Sequence, residues 1–320
     1  MKSQGKPPSN FARRGQRRHR LARYSQHALI ALSLVGAGAP LAQPLAFQWP
    51  PLVQPASSEH HAGKIIWADL ITPDLEGAKR FYGELFGWSF HDAAANEADY
   101  TVAYVGHQPI AGLVHRDMPA GEKRQPAWLT FIAVRDVDAT KRLALAHGAK
   151  ILAEPRNYPN RGTQAVFADP QGAVFAVLAS SAGDPPDVLP AAGGWIWSSL
   201  IARDAETDAA FYQTVVGYDV YEAPSAQGPQ HLVLSSGDFA RASANSFPAN
   251  GEHHRAHWLD FIRVANVADA AAKAGALGGH VLVEPRTDRH GGRIAVLEDP
   301  AGARFGVMEW VEGETARGAK

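Results

Sequence analysis

The feature that most limits what this chain can fold into is a repeat. Residues around Trp67 recur around Trp197, and the spacing of 130 runs through Asp74/Asp204, Gly87/Gly217, Trp128/Trp258, Glu154-Pro155-Arg156/Glu284-Pro285-Arg286 and Asp169-Pro170/Asp299-Pro300. One spacing held over more than 100 residues means a unit duplicated without net insertion. A chain of 320 residues is long enough to give each copy its own apolar core.

Within the first copy, Ile65 to Ile71 is a β-branched and aromatic run that ends at Thr72-Pro73-Asp74. Ala78, Phe81, Tyr82, Leu85 and Phe86 then recur at helical spacing until Gly87 stops the helix. Asp74, and Asp204 in the second copy, fit helix N-caps. Strand-like stretches follow at 88–91, 100–105 and 110–115, and the pattern returns as a strand at 128–134, a helix at 137–147 and strands at 150–154, 163–168 and 173–179. Each copy is thus two βαβββ modules, and the chain holds four. The expected class is α+β, with the modules curving into two half-open barrels whose concave sides suit a small ligand. Pairing of modules within a copy or between copies is left open.

The chain is uneven before the repeat. Basic residues crowd Lys2 to Arg23 without an acid, and Ala28 to Ala39 is an apolar-to-small run too short to span a bilayer. This predicts an export signal or N-terminal anchor at 1–43 and a periplasmic or secreted protein that meets a membrane only through that segment if it stays uncleaved. A linker is expected at 44–63, folded domains at 64–182 and 194–312, a second linker at 183–193 and a tail at 313–320. Net charge of -1 gives no reason to expect nucleic acid, and the absence of cysteine excludes thiolate metal sites, disulfides and cysteine nucleophiles. No GxGxxG, P-loop or nucleophile-elbow motif is present, so no nucleotide cofactor is expected.

The strings WADLITPDLEGAKRFYGELFGW (Trp67 to Trp88) and FADPQGAVFAVL (Phe167 to Leu178), with WSSLIARDAETDAAFYQTVVGY and LEDPAGARFGVM in the second copy, resemble the vicinal-oxygen-chelate superfamily, in particular its tandem glyoxalase-like, bleomycin-resistance-like branch. The resemblance covers nearly all of both copies. It implies the paired βαβββ fold and, in catalytic members, one divalent metal held by inward His and Glu. The first-strand ligand, seven residues before the helix-start Asp, falls on Trp67 and Trp197. The last-strand Glu falls on Ala176 and Gly306, and the second-module His near Thr130 and Asp260. Only Asp260 among these could ligate, so the family metal is not expected in either copy.

Candidate pocket residues are therefore Trp67, Asp69, Thr130, Trp197, Ser199, Asp260, Arg156 and Arg286. Asp69 lies two residues after Trp67, on the same face of a strand, and is the candidate acid or base; its counterpart is Ser199. Arg156 and Arg286 could offer guanidinium forks to an anion or pair with Glu154 and Glu284. Glu252-His253-His254 and His257 form the densest histidine cluster, read as a solvated loop, as is His60-His61. Phe81-Tyr82, Trp128 and Trp258 read as core aromatics. Two functions stay open: an exported binder of small molecules, and a glyoxalase-like lyase or extradiol-type dioxygenase with a displaced metal site drawn from Asp260, Asp69 or His253 to His257.

Overall fold

The computed structural model describes residues 49–92, 100–118, 125–222, 231–247, 255–288 and 291–310. The first copy runs β1 (Ile65–Thr72), α1 (Leu75–Phe86), β2 (Ser89–Asp92), β3 (Tyr100–Val105), β4 (Gln108–His115), β5 (Ala127–Ala133), α2 (Val137–Ala146), β6 (Lys150–Tyr158), β7 (Gly162–Ala168) and β8 (Val174–Ser180). The second runs β9 (Trp195–Ala202), α3 (Ala205–Val216), β10 (Asp219–Glu222), β11 (His231–Ser236), β12 (Phe239–Ser246), β13 (His257–Arg263), α4 (Val267–Ala276), β14 (His280–Thr287), β15 (Arg293–Glu298) and β16 (Arg304–Glu309). Asp74 accepts from the Gly77 N–H and Asp204 from the Thr207 N–H, as N-caps should, and Gly87 and Gly217 end their helices in the left-handed region.

Each copy forms one eight-stranded mixed sheet, in the orders β2-β3-β4-β1-β5-β8-β7-β6 and β10-β11-β12-β9-β13-β16-β15-β14. The modules of a copy join through the antiparallel pairs β1–β5 and β9–β13, so strand pairing stays within copies. Neither sheet closes, and each curves into a cup. The repeat is less uniform than the motif spacing suggests. Tyr100/His231 and Gln108/Phe239 begin matching strands 131 apart, and the spacing returns to 130 at Ala127/His257. Gly112 therefore pairs with Asp69 in one copy where Ser243 pairs with Ser199 in the other.

Core packing crosses between copies although strand pairing does not. The helix-bearing face of the first module of one copy buries against that of the second module of the other. One cluster joins Phe81 and Tyr82 to Phe305 and Val307, and another joins Phe167 and Phe175 to Phe211 and Tyr212. Polar bonds tie the same junctions. Tyr82 donates to Asp299 (3.1 Å) and accepts from Trp128 Nε1, while Tyr212 donates to Asp169 (3.1 Å) and accepts from Trp258 Nε1. The other oxygen of each aspartate takes three successive backbone N–H groups of its turn: Gln171, Gly172 and Ala173 for Asp169, and Ala301, Gly302 and Ala303 for Asp299. The repeated tyrosines, tryptophans and DPxG turns are thus the seam of the duplicated fold, each copy's tyrosine depending on the other copy's turn.

Ordered packing begins earlier than Lys64. Trp49 and Leu52 pack into the first cup, with Leu52 only 1% exposed. The expected linker misses this because apolar side chains separated by prolines carry no helix or strand period, yet still gain by burial. The segment after β8 is also tied down: Asp187 accepts from Lys64 and Arg241, and the Gly193 carbonyl accepts from Trp88 Nε1. The basic and apolar stretch at 1–43 lies outside the described residues.

Candidate functional site

Strand alternation builds the first cup. On β1, Trp67 faces the concave side while Ala68 and Leu70 go to the shared core. Asp69 follows Trp67 onto the concave side, where its Oδ1 accepts from Trp67 Nε1 (2.7 Å) and from the Tyr100 hydroxyl (3.0 Å). Burial pushes the Asp69 carboxyl up from its ordinary range; the charge of Arg161 and the two hydrogen bonds pull it part of the way back. Gly112 stands opposite, and a Cβ there would collide with Asp69 and Tyr100, so these two side chains fill that wall.

Arg161 completes the cup. It sits in the turn between β6 and β7, flanked by Asn160 (φ 65) and Gly162 (φ 115), a reversal that folds the side chain back over the sheet. Its guanidinium carbon lies 4.3 Å from the Trp67 ring centroid, 5.5 Å from Trp49 and 5.6 Å from Phe131. The residue is 0% exposed, and Nε, Nη1 and Nη2 have no hydrogen-bond partner. Sequence reasoning missed this residue; the clue was an arginine between Asn and Gly in a tight turn, YPNRG, with no equivalent in the second copy, where the position is Gly291.

The second cup differs. Ser199 replaces Asp69, and its hydroxyl pairs with Ser243 (2.9 Å), which also accepts from Trp197 Nε1 (3.1 Å) and Asn245 Nδ2 (3.1 Å). Asn245 Oδ1 meets His231 Nδ1, extending the polar chain. Leu259, Phe261 and Met308 form the apolar part, and Trp197 is partly exposed where Trp67 is covered.

Other expected pocket residues lie elsewhere. Thr130 and Asp260 do not line the cups. Alternation that puts Phe131 and Phe261 on the concave sides turns these two outward, where Thr130 donates to Asp260 Oδ2 across the copies (2.8 Å) and Ser198 donates to Oδ1 (2.6 Å). Burial raises the Asp260 pKa to about 6 against those two bonds. Arg156 and Arg286 are exposed on the edge strands β6 and β14; Arg156 lies over the Tyr158 ring, and Glu154 pairs with Lys141 instead. His253 and His254 lie outside the described residues, and His257 sits on β13 with Nδ1 at the Arg255 carbonyl. His61 packs by Asp187 and donates its backbone N–H to Asp184.

The family metal can be tested against this geometry. Trp67 and Trp197 offer indole, and Ala176, paired with Phe131 and 0% exposed, offers a methyl group. At Gly306 even a Cβ would strike the Phe261 ring. The donors that remain do not gather: Asp69 is in one cup and Asp260 in the seam. Among the described residues no group of three or more His, Cys, Asp or Glu is placed to hold a metal. These residues do not fit the family's metal.

Fold and cups together define a tandem protein of four βαβββ modules with two unlike aromatic cups. Known proteins agree. A family model described as "Glyoxalase/Bleomycin resistance protein/Dioxygenase superfamily" matches residues 64–177, and one for a glyoxalase-like domain matches 198–308. CFP32 of Mycobacterium tuberculosis, provisionally named a glyoxylase, is 32% identical over 257 residues, 80% of this chain and 98% of its own length. The anthracycline biosynthesis protein DauV of Streptomyces is 33% identical over 270 residues, 79% of this chain and 96% of its own. Among solved structures, the Mn(II)-bound glyoxalase from Novosphingobium aromaticivorans superposes with TM-score 0.56 at 16% identity, covering 78% of this chain and 83% of that one. An extradiol ring-cleaving dioxygenase from B. fuscum gives 0.57 at 14%, covering 85% and 77%. The chain belongs to the glyoxalase/bleomycin resistance protein/dioxygenase superfamily.

Proposed function

We propose that this chain is an exported member of the superfamily that binds a small molecule in an aromatic-lined cup without a metal at the family positions. The observation that carries this is steric and chemical together: the first- and last-strand family positions hold indole, methyl and hydrogen, Thr130 and Asp260 at the second-module positions bond to each other away from the cups, and Phe261 fills the space a side chain at 306 would need. Lewis-acid activation of a substrate needs donors that converge on one point, and Asp69 and Asp260 do not converge. What remains suits binding: apolar walls with a few polar groups that fix orientation. The name of the Streptomyces relative, which places it in anthracycline biosynthesis, supports a small-molecule role. Export rests on the basic-then-apolar stretch before residue 43.

Metal analysis by plasma mass spectrometry, on protein carrying no histidine tag and after offering Ni, Zn, Mn and Fe, tests the first part. Substoichiometric metal is expected; close to one ion per chain, lost in Asp260→Ala or Asp69→Ala, would return the reading to a lyase or dioxygenase. Cell fractionation of the full chain tests export, with the protein expected outside the cytoplasm.

A further inference from the structure

We infer that the first cup is an oxyanion site for a planar aromatic acid, with Arg161 as its anchor and the segment around Trp49 and Leu52 as a built-in occupant that the ligand displaces. This rests on the small-molecule reading above and names the ligand class. A guanidinium carries five N–H donors in a planar fork that matches a carboxylate. Arg161 is wholly buried, and none of its three nitrogens has an acceptor. Enclosing a charge without partners is costly, and buried polar groups in folded proteins are almost always satisfied. The acid in the same cup does not supply that acceptor. Asp69 Oδ1 is committed to Trp67 and Tyr100, and no hydrogen bond joins this carboxyl to the guanidinium, whose charge reaches it only through space.

The surroundings say what shape the missing acceptor has. The fork lies over the Trp67 face, with Phe131 beside it. Above it the Trp49 ring packs edge-on against Tyr100 (centroids 4.5 Å apart) and Tyr158 (5.0 Å), 5.5 Å from the guanidinium carbon. An aromatic ring from the chain itself thus already occupies the apolar half of the cup, and it brings no anion. A ligand with both a flat apolar ring and a carboxylate would replace the ring contacts and add a bidentate charge-assisted bond. The second cup has Gly291 in place of Arg161 and a polar floor that is already paired, so the preference belongs to the first cup alone.

The test is calorimetric titration of the full chain with sodium benzoate and with benzamide, its neutral analogue, alongside thermal melts of the wild type, Arg161→Met, Arg161→Lys and Trp49→Ala. Benzoate should bind at one per chain, with benzamide weaker by about tenfold or more. Arg161→Met should lose that preference and melt higher than the wild type in buffer alone, because a stranded charge is gone. Arg161→Lys should keep part of the preference, and Trp49→Ala should bind benzoate more tightly. Equal binding of both probes, unchanged in Arg161→Met, would overturn the anion site and leave the small-molecule reading standing. No benzoate binding even in Trp49→Ala, with Arg161→Met melting lower, would make Arg161 a structural residue and overturn the inference. If Arg161→Met fails to fold, the benzoate-to-benzamide ratio in the wild type still decides.

Discussion

The two cups are built on the same sheet and have been filled in opposite ways. In the first, Trp67 is sealed, an arginine lies over it, and an acid is held beside it under a strap from the N-terminal side. In the second, the equivalent Trp197 is partly open, the acid is a serine, the arginine is a glycine, and serine, asparagine and histidine satisfy one another. The tyrosine bonds of the seam show no such drift, since Tyr82–Asp299 and Tyr212–Asp169 match bond for bond, although the equivalent residues Thr130 and Asp260 differ where they meet across it. Residues that serve both copies at once are constrained twice, whereas a cup answers only to its own contents.

That contrast can be attacked first where the effect is largest. Trp67→Ala should cost about 3–5 kcal/mol, the range for removing a buried tryptophan, and Trp197→Ala clearly less; urea denaturation that gives equal losses would mean the cups are equally packed. Next, Asp169→Ala and Asp299→Ala should cost about 3 kcal/mol each and match one another, because each strands three N–H groups and a tyrosine hydroxyl. Unequal values would show that the seam is less symmetric than its geometry.

Asp208 supplies a smaller effect of opposite sign. It is fully buried on α3, its carboxylate oxygens make no hydrogen bond of regular geometry, with the Gln171 side chain the nearby donor, and the matching residue on α1 is Ala78. Burial, then the nearby charge of Asp169, raises its pKa from 3.8 to about 7. From about pH 4 to 7 the unfolded chain gives up a proton that the folded chain keeps, so stability falls as pH rises through that window. Asp208→Ala should therefore stabilise the protein by about 1–2 kcal/mol at pH 8 and little at pH 4; a melting temperature that drops equally at both would show that the carboxyl has an unrecognised partner. The smallest change is Asp260→Asn, expected within about 1 kcal/mol of wild type while flattening the pH dependence of melting between about 4 and 6. A loss several times larger would make that carboxylate a centre of the interface.

The regular features were readable from the residues alone. Asp74 and Asp204 cap helices because a short acid before an apolar 3.6-residue period has little else to do, and Trp67 and Asp69 share a face because strands alternate. Thr130 and Asp260 were misplaced by one residue of phase: the concave positions of β5 and β13 are Leu129 with Phe131 and Leu259 with Phe261, and a count that ends one residue off lands on the opposite face of the strand. Arg161 escaped because its direction is set by two left-handed turn residues rather than by a period. The Trp49 strap escaped because burial of isolated side chains between prolines depends on a cup built by residues far along the chain.

The crossed seam has a consequence for synthesis. When the first copy has left the ribosome, Phe81 and Phe175 lack the Phe305 and Phe211 rings they pack against and Tyr82 lacks its acceptor, because those rings and Asp299 have yet to be made. At translation rates of roughly 5–20 residues per second, the stretch from residue 180 to 305 takes on the order of ten seconds. Through that interval the nascent half is a sticky surface with its complement still encoded downstream, so a chain that pauses or terminates near residue 180 is the form of this protein most in need of a chaperone.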